Sequence, residues 1–157
     1  MKFLVCISQV PDTTTKISFT LDKKAFNAQG VQFIINPYDE IALTRALELK
    51  EALGGTVTVI NVGGASAEAN IRKALAIGAD DAIRINAEPT DAFYVASQIA
   101  EVARKNTYDV VLTGKESIDY NGGQVPMMLG ELLNIPSVSV ATKLDINGTI
   151  ATLEREI

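Results

Sequence analysis

The stretch Val110-Val111-Leu112-Thr113-Gly114-Lys115-Glu116-Ser117-Ile118-Asp119-Tyr120-Asn121-Gly122-Gly123-Gln124 runs from an apolar β-branched segment through a polar, glycine-bearing loop. It hands over to the apolar helical pattern Val125 to Leu133. Strand, loop and helix in that order are one unit of an open parallel sheet, and ligands of such sheets bind at the carboxyl ends of the strands. Gly122 and Gly123 carry no Cβ that would hold a phosphate away from backbone N–H groups, and the next helix offers unpaired donors at its positive end. The loop therefore reads as an anion site, most simply for a nucleotide phosphate.

The same alternation extends outward through the chain. Strand one is predicted over Lys2 to Gln9, and Pro11-Asp12-Thr13 turns into a segment, Ile17 to Leu21, that can form an excursion hairpin with Phe33 to Ile35. Asn36-Pro37 is a helix start, with Asn as the cap, Pro at the first helical position, and Asp39 and Glu40 at the positive end of the dipole. That helix is predicted to reach Leu53, where Gly54-Gly55 ends it before the strand Thr56 to Val62.

Gly63-Gly64 releases the chain, and Ser66 is placed as the cap of a helix with Ile71, Leu75 and Ile77 on its apolar face, closed by Gly78. A strand over Ala82 to Ile85, a helix over Asp91 to Asn106 and a strand over Asp109 to Thr113 follow. After the helix ending near Leu133, Ser137 to Ala141 reads as a last core strand. Leu144 to Ile146 and Thr149 to Leu153 flank Asn147-Gly148, a type I′ hairpin signal. The fold class is α/β, an open parallel sheet with helices on both faces and a short terminal β-hairpin.

Composition bounds the function. The chain has 157 residues, 47% of them hydrophobic, which fits a single domain with a real core. Its net charge of −5 argues against a nucleic-acid partner or an anionic membrane surface, and no stretch is apolar enough for membrane insertion. There is no histidine, so the commonest general base and metal ligand is missing. Cys6, the one thiol, lies in the apolar run Phe3 to Ile7 and reads as a buried small hydrophobe. That run is too short for a secretion signal, so the chain reads as cytoplasmic.

Three loops are expected to converge on one crevice: Gln9 to Thr15, Val62 to Ser66, and Gly114 to Gln124. Gly63-Gly64-Ala65-Ser66 reads equally as half of a phosphate cradle or as a glycine turn with a serine cap. Lys115 either supplies positive charge or sits solvated at the rim, and Asn36 reads as an ordinary helix cap. Asp119 would repel a phosphate, so it is placed as an acceptor for backbone or ribose groups that hold the loop. Neither a Gly-x-x-x-x-Gly-Lys-Ser/Thr loop nor Gly-x-Gly-x-x-Gly after strand one occurs, and no nucleophile and base pair stands out. The chain reads as a binding module without catalytic residues of its own.

Four segments in order resemble the beta subunit of electron transfer flavoproteins. These are Leu4 to Thr13, Asn36-Pro37-Tyr38-Asp39-Glu40 with Ala46 to Glu51, Ile71 to Asp80, and Gly114-Lys115-Glu116-Ser117-Ile118-Asp119 through Gln124. The resemblance implies a Rossmann-like fold of the adenine-nucleotide-hydrolase type and a heterodimer with an alpha subunit that carries most of the FAD. It implies structural AMP on this chain and electron transfer from flavin-dependent dehydrogenases through the full complex.

By position the implied AMP contacts are Cys6, Asn36, Pro37, Tyr38, Asp39, Val62 and the loop Gly114, Lys115, Glu116, Ser117, Ile118, Asp119, Tyr120, Asn121, Gly122, Gly123, Gln124 and Val125. Some members place a second FAD where others hold AMP, and members run on beyond Ile157, so the chain resembles the nucleotide-binding core alone. Tyr120-Asn121-Gly122-Gly123 stands where other members carry further acidic residues, and Val125 where some carry a hydroxyl. A stress-type ATP-binding regulator is the competing reading. An adenylating enzyme is not supported, because Gln9-Val10-Pro11-Asp12 replaces the pyrophosphate loop such an enzyme needs after strand one.

Overall fold

A computed structural model describes residues 1–157. Its centre is a four-stranded parallel sheet of β1 (Lys2–Cys6), β4 (Thr56–Val62), β5 (Asp81–Ile85) and β6 (Val110–Thr113), in the order β5-β4-β1-β6. β1 is apolar from Phe3 to Cys6, and β4 carries Val57, Val59, Ile60 and Val62 inward, because each strand is hydrogen-bonded on both sides and covered on both faces.

Side-chain alternation divides the core into two layers. Phe3, Val5, Val57 and Val59 point to one face, where they meet Leu43 and Ala46 of α1 (Pro37–Leu53) and Ile71 and Ala74 of α2 (Glu68–Ile77). Leu4, Cys6, Ile60 and Val62 point to the other and meet Ile99 and Ala100 of α3 (Ala92–Lys105) and Leu129 of α4 (Val125–Leu133). The parallel sheet with helices on both faces is thus as the sequence predicts. Asp91 caps α3 by accepting the Tyr94 N–H at 2.8 Å. No helix is long and apolar enough to cross a membrane.

Several local expectations are corrected. Strand one does not run to Gln9: β1 stops at Cys6, and Gln9–Pro11 is a separate strand, β2. The chain leaves the sheet at Ser8 because Asp39 of α1 captures both its N–H and its hydroxyl, at 2.8 and 2.7 Å. Phe33–Ile35 (β3) pairs antiparallel with β2 and not with Ile17 to Leu21. That register buries Val10 and Ile35 completely, whereas Ile17, Phe19 and Leu21 stay exposed in an excursion that closes on itself through a bridge between Phe19 and Phe26 and the backbone bonds beside it.

Ser66 caps nothing. It lies in a 3₁₀ turn, Ala65–Ala67, ahead of α2, and α2 buries Ile71 while Leu75 and Ile77 remain partly exposed. The predicted core strand Ser137 to Ala141 does not form: Val140 turns with φ +52°, and only Ala141 enters a strand. Gly130 explains where the segment goes instead. An added Cβ there would lie 2.7 Å from the Cβ of Ser137, so the chain packs on the end of α4 and leaves β6 at the sheet edge.

The terminal hairpin of β7 (Ala141–Asn147) and β8 (Ile150–Arg155) forms, but Asn147 pairs with Ile150 and the loop is Gly148-Thr149. With φ +60° at Gly148 alone, the turn has the glycine-first pattern of type II′, not type I′.

Candidate nucleotide site

β1 is the strand at which the chain order reverses: β4 and β5 lie to one side of it and β6 to the other. Open parallel sheets bind ligands at the carboxyl ends of two strands whose connections lead away in opposite directions, here β1 and β6, where Cys6 is in register with Thr113. Gly114, the residue after β6, begins the loop at this switch point.

The first turn of α1 organises the surroundings. Asp39 is buried and accepts three hydrogen bonds. Ser8 N–H and Oγ–H reach Oδ2 at 2.8 and 2.7 Å, and Gly114 N–H reaches Oδ1 at 3.1 Å. Burial raises its carboxyl above the ordinary carboxylate range, and the bonds from Ser8 and Gly114 only partly oppose that. The same burial, with the Asp39 charge beside it, pushes the Cys6 thiol far up, so Cys6 is inert apolar wall and not a nucleophile.

Asn36 departs from expectation. It occupies the cap position of α1, yet its side chain makes no capping bond. Instead Nδ2 donates to the Glu116 carbonyl at 2.8 Å, and Oδ1 accepts from the Ile118 N–H at 3.3 Å. An asparagine cap is ordinarily worth about 1 kcal/mol to its helix. At this position that stabilisation is forgone and the amide is given to the loop, a partner 80 residues away that no local pattern could reveal.

The loop Gly114 to Gln124 closes on itself. Ser117 and Gly122 form a bridge, with the Ser117 N–H on the Gly122 carbonyl at 3.0 Å, and Asn121 takes a left-handed φ of +56°. Asp119 accepts the Ser117 hydroxyl, so it does hold the loop, through a side chain and not a backbone amide. The space left by the two glycines is used internally. A Gly122 Cβ would fall 2.1 Å from the Tyr120 ring, and a Gly123 Cβ 3.1 Å from the Lys115 carbonyl. The loop's own packing, and not a ligand, occupies the space a side chain would take there, although the exposed Tyr120 ring is free to yield. Lys115 lies 5.0 Å from the centre of the Tyr38 ring and 3.8 Å from a Glu116 oxygen, partly exposed at the rim.

α4 follows with Val125 and Pro126 in its first turn and no side-chain cap, which leaves first-turn N–H groups free at the positive end of a helix dipole. Val62 ends β4 on the same sheet face as Cys6, and both are buried.

The other two predicted loops are bonded to each other and to β5, and no hydrogen bond joins either to the 114–124 loop. Gln9 donates to Ser66 Oγ at 3.2 Å, and the Gly63 carbonyl accepts from Arg84 at 3.1 Å. Asp12 and Thr14 are turned elsewhere: with Thr15, Lys16, Asn27 and Gln32 they help line an open polar hollow of about 310 Å³ under the excursion, which shares no residue with the 114–124 loop. The buried polar contacts of Asp39 and Asn36 are what sequence reading missed. The only signal for them is a pair of polar residues one helical turn apart on a helix start that packs on a sheet.

The family profile described as electron transfer flavoprotein domain matches residues 24–157. The chain belongs to the electron transfer flavoprotein family.

It is 40% identical over 161 residues to the electron transfer flavoprotein subunit beta of Bacillus subtilis (strain 168), covering 100% of this chain and 62% of that protein. It is 37% identical to the electron transfer flavoprotein subunit beta of Thermoanaerobacterium thermosaccharolyticum, across 100% of this chain and 61% of the relative. The acryloyl-CoA reductase electron transfer subunit gamma of Anaerotignum propionicum is 32% identical over 99% of this chain and 60% of its own length. These relatives place the chain on the beta-subunit side of the electron transfer flavoprotein family, and it spans about three fifths of their length. Their names describe electron transfer subunits, a carrier role.

Proposed function

We propose that this chain is the nucleotide-binding core of an electron transfer flavoprotein beta subunit, that it holds AMP structurally at the β1/β6 switch point, and that it works in a heterodimer with an FAD-bearing alpha subunit. The observation that carries the reading is the folded loop Gly114 to Gln124 set between the first turn of α1 and the uncapped start of α4.

The residues suit a mononucleotide. Backbone N–H groups at the α4 start and in the loop can meet a phosphate, Cys6 and Val62 give an apolar wall for a base, and Lys115 is the cation of the loop. Glu116 and Asp119 offset that cation, which favours one phosphate over a longer polyphosphate. AMP supplies no redox chemistry in this reading. Electrons pass from dehydrogenases through the FAD of the partner subunit, and this chain binds, orients and shields.

The test is to purify the chain gently, denature it, and identify what is released by mass spectrometry and absorbance. AMP without flavin supports the proposal. FAD released in its place assigns the site to flavin. ATP from a self-dimer would support the regulator reading and overturn the subunit reading. If nothing is released, titration with AMP decides, and absence of binding at millimolar nucleotide rejects the site.

A further inference from the structure

Asn36 is among the most deeply buried polar side chains in the protein, 1% exposed, and it stands where a helix cap is wanted. Its amide nevertheless caps no backbone group of α1 and grips two backbone groups of the loop, the Glu116 carbonyl and the Ile118 N–H. Those groups flank Ser117, whose own bridge to Gly122 closes the loop, while the tip residues Tyr120 and Asn121 lie exposed. Asp39, one turn on, fixes Gly114 at the loop's root. The loop thus has a free tip and a base bolted at three backbone points to one helix turn. Without those points its residues would sample many conformations, and a ligand would have to order them on binding.

We propose that Asn36 is a positioning residue: its side-chain amide holds the 114–124 loop in binding conformation before any nucleotide arrives. The proposal rests on the nucleotide-site reading for its purpose but not for its test. Both polar atoms of the side chain are engaged by the loop, so its amide serves the site through the loop.

The test uses Asn36→Asp and Asn36→Ser. Asp and Ser cap a helix about as well as Asn, so a residue that merely started α1 would tolerate both. Asp keeps the shape but sets an acceptor against the Glu116 carbonyl. Ser is neutral and too short to reach the loop, and covers the case in which a buried Asp prevents folding.

Hydrogen exchange by mass spectrometry on the nucleotide-free chain is the primary readout. In the variants, exchange over 114–124 is expected to rise about ten-fold or more, as loss of a buried hydrogen bond implies, while α1 beyond its first turn keeps its protection. AMP affinity is expected to fall by a comparable factor, about ten-fold. Unchanged loop exchange in both variants overturns the proposal, as does a rise that α1 and the loop share equally. A loosened loop in a chain whose wild type binds no AMP keeps the positioning role and rejects the nucleotide reading instead.

Discussion

Replacing Gly114 by Ala tests the closest approach in the site. An added Cβ would stand 2.3 Å from Asp39 Oδ1 and 2.9 Å from both the Asp39 nitrogen and the Tyr38 carbonyl carbon. The carboxylate can swing aside, but the two backbone atoms belong to the first turn of a 17-residue helix and cannot move alone. To regain ordinary contact the helix start and β6 must part by about half an ångström.

Two costs follow. Overpacking of a tight contact costs about 1–3 kcal/mol. Displacing Asp39 also breaks the 3.1 Å bond from the Gly114 N–H, a charge-assisted interaction in a buried setting worth about 1.5–3 kcal/mol. The lower entropy of the unfolded Ala chain returns about 0.4–1 kcal/mol. The net expectation is a loss of about 3 kcal/mol, which in a domain of this size lowers Tm by roughly 6–12 °C.

Gly64→Ala is the control, since a Cβ there meets nothing within 4 Å and φ is −73°. Thermal unfolding followed by circular dichroism, with urea midpoints on the same proteins, checks both. If Gly114→Ala melts within about 2 °C of the wild type, less than a kilocalorie by the same conversion, the contact between β6 and α1 is not tight and the reasoning fails.

Three further outcomes follow from the same geometry. Because burial raises the Asp39 carboxyl, the native chain holds that proton more firmly than the unfolded one. The Asp39 contribution to stability therefore declines as pH climbs from the ordinary carboxylate value to the raised one and is flat above it; a carboxyl carbon titration by NMR that places Asp39 at or below the ordinary value would contradict this. Cys6 is expected to react with a soluble disulfide reagent only as fast as the chain unfolds, and rapid labelling of the folded protein at mildly alkaline pH would show that β1 is not sealed. Gly148→Ala is expected to cost about 1 kcal/mol, because φ +60° penalises any Cβ although the space is open, and a urea midpoint equal to that of Gly64→Ala would refute the left-handed turn.

Much of the architecture was legible in the linear pattern. β4 over Thr56–Val62 and α1 over Pro37–Leu53 stand where the β-branched run, the Asn-Pro start and the Gly-Gly stop placed them, because strand propensity, the fixed φ of Pro37, the glycine stop and burial agree there. The 114–124 loop, too, could be picked out by its polarity at the end of a buried strand. Where those signals disagree with packing, packing won. Ser137 to Ala141 has strand composition but no strand, and Ile17 to Leu21 alternates like a strand yet pairs only locally, Phe19 with Phe26, since Val10 and Ile35 bury more by pairing β2 with β3.

Sequence alone determined the layered α/β class, the order of the sheet strands and helices, and the candidate site segment. Tertiary structure alone decided how the site is built. Asn36 and Asp39 satisfy polar groups on Ser8, Gly114, Glu116 and Ile118, residues 31 to 82 positions away, and a buried donor must find an acceptor wherever the fold brings one. Local periodicity records which face of an element is apolar; it carries no record of which distant backbone group a buried amide will meet.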